Sequence, residues 1–179
     1  GDGSDEVTGG YMYFHHSPDS IEFDAECRRL LKDIHFFDVL RSDRCISAHG
    51  LEARTPFLDR GFVDYYLSIP AMVRNHVTEG RCEKYLLRSS FDGDQYLPKE
   101  ILWRTKEAFS DGVSGMKRSW SDIINEKIDN ADVNIFKNYD YNQPLTKEGY
   151  YYREHFENYY PNRGNVIPYF WMPKYVEAN

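Results

Sequence analysis

Long apolar runs are missing from this sequence of 179 residues, and none approaches the ~20 apolar residues that cross a bilayer. A basic excess is missing too, because 22 lysines and arginines face 29 aspartates and glutamates. The resulting net charge of -7 argues against a general nucleic-acid or anionic-membrane surface. No secretory signal peptide is visible. These absences leave room for a local basic site that binds a phosphate.

Cysteine is scarce, and Cys27, Cys45 and Cys82 are widely spaced without a Cys-x-x-Cys pair. This pattern predicts no zinc quartet and favours reduced thiols in a cytoplasmic protein. The histidines show neither His-x₃-His nor His-Glu-x-x-His spacing, so they predict no metal site.

Strand signals are also sparse, because apolar–polar alternation is seldom sustained, whereas apolar residues recur with helical spacing. We therefore predict a mostly α structure. The predicted helices run over residues 17–41, 60–67, 82–91, 115–129 and 146–159, with a further one starting at Leu97-Pro98.

The clearest helix begins with Ser17 as its N-cap and Pro18 in its first turn. Its helical register projects Asp38 into the apolar stripe, where a carboxylate is costly unless it is paired. Arg41, three residues further on, is the expected partner. Two interpretations remain open: a structural ion pair, or a site that binds the ammonium and carboxylate of a zwitterion.

The first six residues, Gly-Asp-Gly-Ser-Asp-Glu, form an acid loop, the name used here for residues 1–6. Its glycines allow close approach to a ligand, and its carboxylates suit a hard cation such as Mg²⁺ that shares its ligands with phosphate. The EF-hand pattern fails, because Val7 and Tyr13 occupy the positions that require glycine and glutamate. A Walker Gly-Lys-[Ser/Thr] sequence is absent from the chain. We expect a short helix to start in the loop, and an acid-rich helix cap remains the alternative to a functional site.

Lys106 lies in the stretch Trp103 to Gly112, between aromatic residues and ahead of a Ser-Asp-Gly turn. A lysine in this setting is suited to hold a phosphoryl group, and a solvated surface lysine is the alternative interpretation.

Five stretches in order resemble the synthetase domain of glutamine-dependent asparagine synthetase. They cover residues 1–11, 38–41, 48–59, 103–112 and 147–153. The resemblance implies that residues 1–179 are the C-terminal, mainly helical part of an α/β domain of the adenine-nucleotide α-hydrolase-like, or ATP pyrophosphatase, type. The parallel-sheet half of that domain would be largely missing from these residues.

The resemblance also implies an activity. The family converts aspartate, through β-aspartyl-AMP, and ammonia from glutamine to asparagine, AMP and pyrophosphate. Magnesium accompanies the ATP, and the ammonia comes from a separate glutaminase domain. The family's Ser-Gly-Gly-x-Asp-Ser pyrophosphate loop and that glutaminase domain are not found in these residues. The oligomeric state stays open between a monomer and a homo-oligomer.

By the same resemblance, Gly1 lies where the backbone approaches ATP, and Lys106 stabilises charge on the α-phosphate. Asp5 is implied as a Mg²⁺ ligand, and the implied aspartate-binding residues are Tyr11, Asp38 and Arg41. Asp2 departs from the glutamate that the most similar synthetases carry there. It is retained as a catalytic candidate, although its side chain is one methylene shorter and reaches less far.

Two other functions remain open. One is a sister adenylating ligase resembling β-lactam synthetase. The Arg-Thr-Lys-Glu-Ala-Phe-Ser-Asp-Gly stretch, residues 104–112, favours asparagine synthetase over it. The other is a non-catalytic helical interaction module that keeps the motifs as packing elements.

The expected lack of a pyrophosphate loop leads to a binding prediction. Residues 1–179 alone should bind ATP weakly or not at all, because part of a nucleotide site cannot hold the polyphosphate tightly. Isothermal titration calorimetry with Mg-ATP checks this. Micromolar affinity would contradict the expectation that the chain alone is inactive.

Overall fold

The computed structural model describes residues 1–93, 96–107 and 118–175. It divides the chain into a first compact unit, residues 1–105 with 171–179, and a second unit, residues 106–170. Regular structure in the described ranges is helical and includes no β-strand, which confirms the mostly α prediction. None of the helices in these ranges has the length and apolar character needed to cross a membrane.

The first unit contains seven described helices. They are α1 (Ser4–Thr8), α2 (Ser20–Asp33), α3 (Asp38–Ser47), α4 (Arg60–Ser68), α5 (Ala71–Arg74), α6 (Tyr85–Ser89) and α7 (Lys99–Leu102). Short 3₁₀ turns cover Met12–His16, Ile34–Phe36 and Pro56–Leu58. The predicted helix over 60–67 is confirmed, whereas the one over 82–91 is reduced to α6.

The core of the first unit lies between the Met12–His16 turn and α2. Its buried members are Tyr13, Phe14, Phe23, Cys27 and Leu30. Trp171 and Tyr175 pack against this cluster from the C-terminal end of the chain. Helix α1 packs on α2, so the acid loop is held against the helix that supplies most of this core.

Glu26 is a fully buried carboxylate on the core side of α2. It accepts a hydrogen bond of 2.6 Å from the Tyr13 hydroxyl, and Arg29 donates to it at 2.7 Å. A buried charge is tolerable only with such partners, so this cluster ties the aromatic turn to α2.

The predicted single helix over residues 17–41 is wrong at both ends. Asp19 is the N-cap of α2 and accepts from the backbone N–H groups of Ile21 and Glu22, each at 2.8 Å. The helix ends at Asp33, and Phe37 (φ −120°, ψ −102°) is not helical. The aromatic and β-branched run before Asp38 has weak helix propensity, which favours the break.

The second unit contains α8 (Trp120–Asp129) and α9 (Lys147–Tyr159), which pack on each other. Ser119 and Asp122 form a capping box at the start of α8. Thr146 caps α9 by accepting from the Gly149 N–H at 3.1 Å, as predicted. The predicted start of α8 at Gly115 lies outside the described residues.

His76 is buried in the first unit with 2% of its surface exposed. Its ring packs edge-on against Phe23 and His15, with centroids 5.6 Å away in each case. Neither ring nitrogen has a hydrogen-bond partner among the described residues. The pKa of His76 is lowered from 6.5 to about 4, mainly by burial and in part by the charge of His15, while Glu83 acts in the opposite direction.

This burial predicts a pH-dependent stability. Between pH 6.5 and about 4, the unfolded chain binds a proton at His76 that the folded chain does not, so acidification favours unfolding. The loss should reach about 3 kcal/mol at its limit, since one pKa unit corresponds to ~1.4 kcal/mol. Urea denaturation of wild type and His76→Phe at pH 7.5 and about pH 5 measures it.

His76→Phe should lose less stability than wild type over this interval, whereas the exposed-site control His16→Phe should behave like wild type. An equal loss in His76→Phe and wild type would contradict a neutral buried imidazole.

Candidate functional site

The acid loop forms the start of a short helix, as predicted. Gly3 precedes α1 with φ of 83°, a left-handed conformation that favours glycine. A Cβ at Gly3 would also lie 2.6 Å from Leu58 Cγ. Asp5 and Glu6 both lie in the first turn of α1, but Glu6 is buried while Asp5 is partly exposed. The two carboxylates therefore have different surroundings.

Lys84 binds both Asp5 and Ser4. Its Nζ lies 2.9 Å from Asp5 Oδ1 and donates to Ser4 Oγ at 2.9 Å. The lysine and aspartate side chains are 22% and 26% exposed, so solvent or a ligand reaches the pair. The ammonium of Lys84 thus lies against a hydroxyl and a carboxylate of the acid loop.

Sequence reasoning missed Lys84. It precedes α6 in a left-handed conformation, with φ of 60°, which a residue with a Cβ seldom adopts. One signal was present in the sequence. The helix dipole disfavours a cation at the start of a helix, so a lysine in the first turn of the predicted helix over residues 82–91 indicates a partner elsewhere in the fold. Its long-range partners could not be read from the sequence.

Glu6 was also missed; it is buried and pairs with half-buried Tyr11. The Tyr11 hydroxyl donates to Glu6 Oε1 at 2.6 Å. Burial raises the pKa of Glu6; the tyrosine hydrogen bond lowers it, and the charges of Asp38 and Asp5 raise it. Burial likewise raises the pKa of Tyr11, so its hydroxyl stays protonated and donates. Tyr11 is therefore hydrogen-bonded to one member of an acidic cluster, the name used here for Asp5, Glu6 and Asp38.

Asp38 pairs with Arg41 as predicted, but the predicted burial of Asp38 in the stripe of α2 is wrong. Asp38 starts α3, a separate helix, because the backbone breaks at Phe37. The side chain of Asp38 is 27% exposed and that of Arg41 is 74% exposed. A buried structural ion pair is therefore excluded, and Arg41 is accessible to a ligand.

The remaining predicted residues have separate surroundings. Gly1 is exposed, and a Cβ there would meet the Phe57 ring at 3.0 Å. Asp2 is half-buried. Lys106 is half-buried at the start of the second unit, in a segment without regular structure. The predicted Ser-Asp-Gly turn after Lys106 lies outside the described residues.

The metal prediction concerns Asp5. In the part of the chain that the structure describes, no group of three or more His, Cys, Asp or Glu side chains could hold a metal ion. Magnesium, however, is often bound by one or two carboxylates together with water and substrate phosphates. A single accessible carboxylate at Asp5 therefore fits a metal that arrives with a nucleotide and does not fit a preformed metal cage.

Comparison with known proteins places the chain in a family. The model of the asparagine synthase family matches residues 17–171, so the chain belongs to that family. The chain is 51% identical over 183 aligned positions to an asparagine synthetase (glutamine-hydrolysing) of Gallus gallus. It is 49% identical to the enzyme of the same name from Bos taurus and 48% identical to that from Homo sapiens. Each alignment covers 99% of this chain but 32% of the relative, so the chain spans about a third of its relatives' length.

The packing of Gly10 tests the Asp5–Lys84 pair. A Cβ at Gly10 would lie 2.6 Å from Lys84 Cε, 3.2 Å from Asp5 Cα, and in collision with Asp5 Oδ1. Gly10→Ala should therefore separate the pair and lower the free energy of unfolding by about 1–3 kcal/mol, the usual cost of overpacking. Urea denaturation measures the change.

The control is Gly61→Ala, at an exposed glycine in α4 whose nearest new neighbour would be Asp59 Oδ1 at 3.2 Å. This change should be neutral or should stabilise by up to ~1 kcal/mol, because alanine favours helix. Equal unfolding midpoints for Gly10→Ala and wild type would mean that the pair is loosely packed.

Proposed function

We propose that this chain is part of a glutamine-hydrolysing asparagine synthetase, a cytoplasmic ligase that forms a carbon–nitrogen bond. The proposal rests on its similarity to such enzymes along nearly its whole length. In this proposal residues 1–179 belong to one adenine-nucleotide α-hydrolase-like domain, and the nucleotide-binding sheet and the glutaminase domain lie elsewhere in the full-length protein. The substrates are aspartate, ATP and ammonia derived from glutamine.

The reaction joins these substrates in two steps. A β-carboxylate oxygen of aspartate attacks the α-phosphorus of ATP, and pyrophosphate leaves to give β-aspartyl-AMP. The nitrogen of ammonia then attacks the acyl carbon, AMP leaves, and loss of a proton gives asparagine. Both steps develop negative charge on oxygen, which fixed cations and hydrogen-bond donors stabilise.

The acid loop with Lys84 is the proposed pyrophosphate end of the site. Lys84 Nζ, which donates to the buried Ser4 Oγ, is itself partly exposed and can donate to phosphate oxygens, while Gly1 and Gly3 let the backbone approach. Asp5 would hold Mg²⁺, which when bound neutralises charge on the leaving pyrophosphate. The Lys84–Asp5 contact keeps the lysine oriented toward this region before the nucleotide binds.

Tyr11, Asp38 and Arg41 are the proposed aspartate-binding residues. Accessible Arg41 suits the α-carboxylate of the substrate, and partly exposed Asp38 suits its α-ammonium. The Tyr11 hydroxyl is held by Glu6, whose burial fixes the ring beside the acidic cluster. The Asp38–Arg41 ion pair would open when a zwitterion offers each side chain an opposite charge.

Lys106 and Asp2 are the proposed catalytic residues. The ammonium of Lys106 would bind ATP and stabilise the charge that grows on the α-phosphate during adenylation. Asp2 is a candidate to accept a proton when ammonia adds to the acyl carbon. Its half-buried position beside Gly1 and Gly3 is compatible with contact to the reacting groups.

Lys106→Ala in the full-length protein tests this function. Aspartate-dependent pyrophosphate release should fall by about 100-fold or more, because removal of one transition-state charge contact typically costs this much. Glutamine hydrolysis, which belongs to another domain, should persist. Pyrophosphate release and glutamate formation are measured in parallel.

Lys99→Ala is the control with the same substitution, because Lys99 is exposed in α7 and has no proposed role. It should retain both activities. Unchanged asparagine synthesis in Lys106→Ala would exclude the proposed role of Lys106, and a wild-type protein that makes no asparagine from aspartate and ATP would exclude the function itself.

A further inference from the structure

We infer that Arg88 positions the segment carrying Lys106, by holding the backbone two residues before that lysine. This inference rests on the proposed function, because it concerns how the proposed catalytic lysine is placed. Arg88 is not among the residues predicted for the site from the sequence. The contacts that carry the inference lie within the first unit.

Arg88 is an arginine of α6 whose side chain is 15% exposed. Its Nη1 donates to the carbonyl oxygens of Leu102 at 3.0 Å and Arg104 at 2.8 Å. Its Nη2 donates to Glu83 Oε1 at 3.0 Å, and the Glu83 side chain is 9% exposed. The planar guanidinium is therefore fixed on one side by a buried carboxylate and donates two bonds to the backbone on the other.

The two carbonyls lie at the end of α7 and just after it. Leu102 is the last residue of α7, and the final carbonyls of a helix have no partner within the helix. Arg104 begins a segment, residues 104–107, that has no regular secondary structure. The Trp103 ring lies 5.6 Å from that of Tyr85, so α6 contacts this turn through a side chain as well. Arg88 therefore donates to backbone carbonyls that would be bonded to N–H groups if the helix continued.

The residue that precedes α6 contacts the acid loop. Lys84, which precedes α6, binds Ser4 and Asp5, and the Arg88 N–H donates to the Lys84 carbonyl at 2.9 Å. One helical turn therefore joins the residue that holds the acid loop to the residue that holds the backbone before Lys106. Because a lysine stem is flexible, the position of its backbone decides where the ammonium can act, and ~1 Å of displacement is costly in a positioned site.

The test compares Arg88→Met and Arg88→Lys in the full-length protein with the control Arg28→Met. Arg28 is matched, because it also bonds a carboxylate, Asp24, at 2.8 Å, and a backbone carbonyl, that of Leu67, at 3.3 Å. It lies on α2, and its hydrogen bonds among the described residues go to Asp24 and Leu67 instead of Leu102 and Arg104.

Two readouts are measured. Amide hydrogen exchange of residues 104–107 should accelerate by about tenfold or more in Arg88→Met, because the bonds of Arg88 to the carbonyls of Leu102 and Arg104 are lost and the backbone around them opens more often. Aspartate-dependent pyrophosphate release should show kcat reduced by about tenfold or more and the KM for aspartate within about twofold of wild type, as expected when a transition-state contact is misplaced. Arg88→Lys keeps the positive charge but loses the planar guanidinium that donates to several acceptors at once. Its exchange rate and its kcat should therefore lie between those of wild type and Arg88→Met.

Arg28→Met should alter neither readout. Exchange at residues 104–107 that is equal in Arg88→Met and wild type would overturn the inference, as would a fall in kcat matched by Arg28→Met. If the wild-type protein releases no pyrophosphate, the proposed function fails, and the exchange measurement still decides whether Arg88 holds this segment.

Discussion

The contact of the Lys84 ammonium with Asp5 and Ser4 is the interaction on which the candidate site depends. It brings a residue from before α6 onto the first helix of the chain, and it leaves a partly exposed cation beside an accessible carboxylate. The cost of a left-handed lysine is tolerated because these contacts hold it. Gly10 makes room for the pair, since a side chain there would occupy the same space.

Burial separates two neighbouring acids of one short helix into different roles. Asp5 faces Lys84 and remains accessible, which suits an ion or a phosphate. Glu6 is buried against Tyr11, and the raised pKa of its carboxyl reflects mainly the loss of water. The acid loop therefore contains one accessible acid and one buried acid that supports Tyr11, a division that composition alone does not reveal.

Local signals explain which elements were predicted correctly. The caps of α9 and the apolar spacing of α2 and α4 are read from adjacent residues, and the structure contains them. The long helix ending near Arg41 was wrong because the apolar stripe continues through Phe37 while the backbone does not. Periodicity measures which side chains are apolar, and it does not detect a single non-helical residue between two helices.

The sequence by itself determined the mostly α class, the acid loop, the pairing of Asp38 with Arg41, and the resemblance to the family to which the chain belongs. Each depends on residues close together in the chain or on the order of motifs. Only the tertiary structure decided that Lys84 meets Asp5, that Glu6 is buried, and that Arg88 holds the backbone before Lys106. The Lys84 and Arg88 contacts join separate segments of the chain, and the burial of Glu6 depends on the packing of α1 on α2, so all three are decided by how the helices pack.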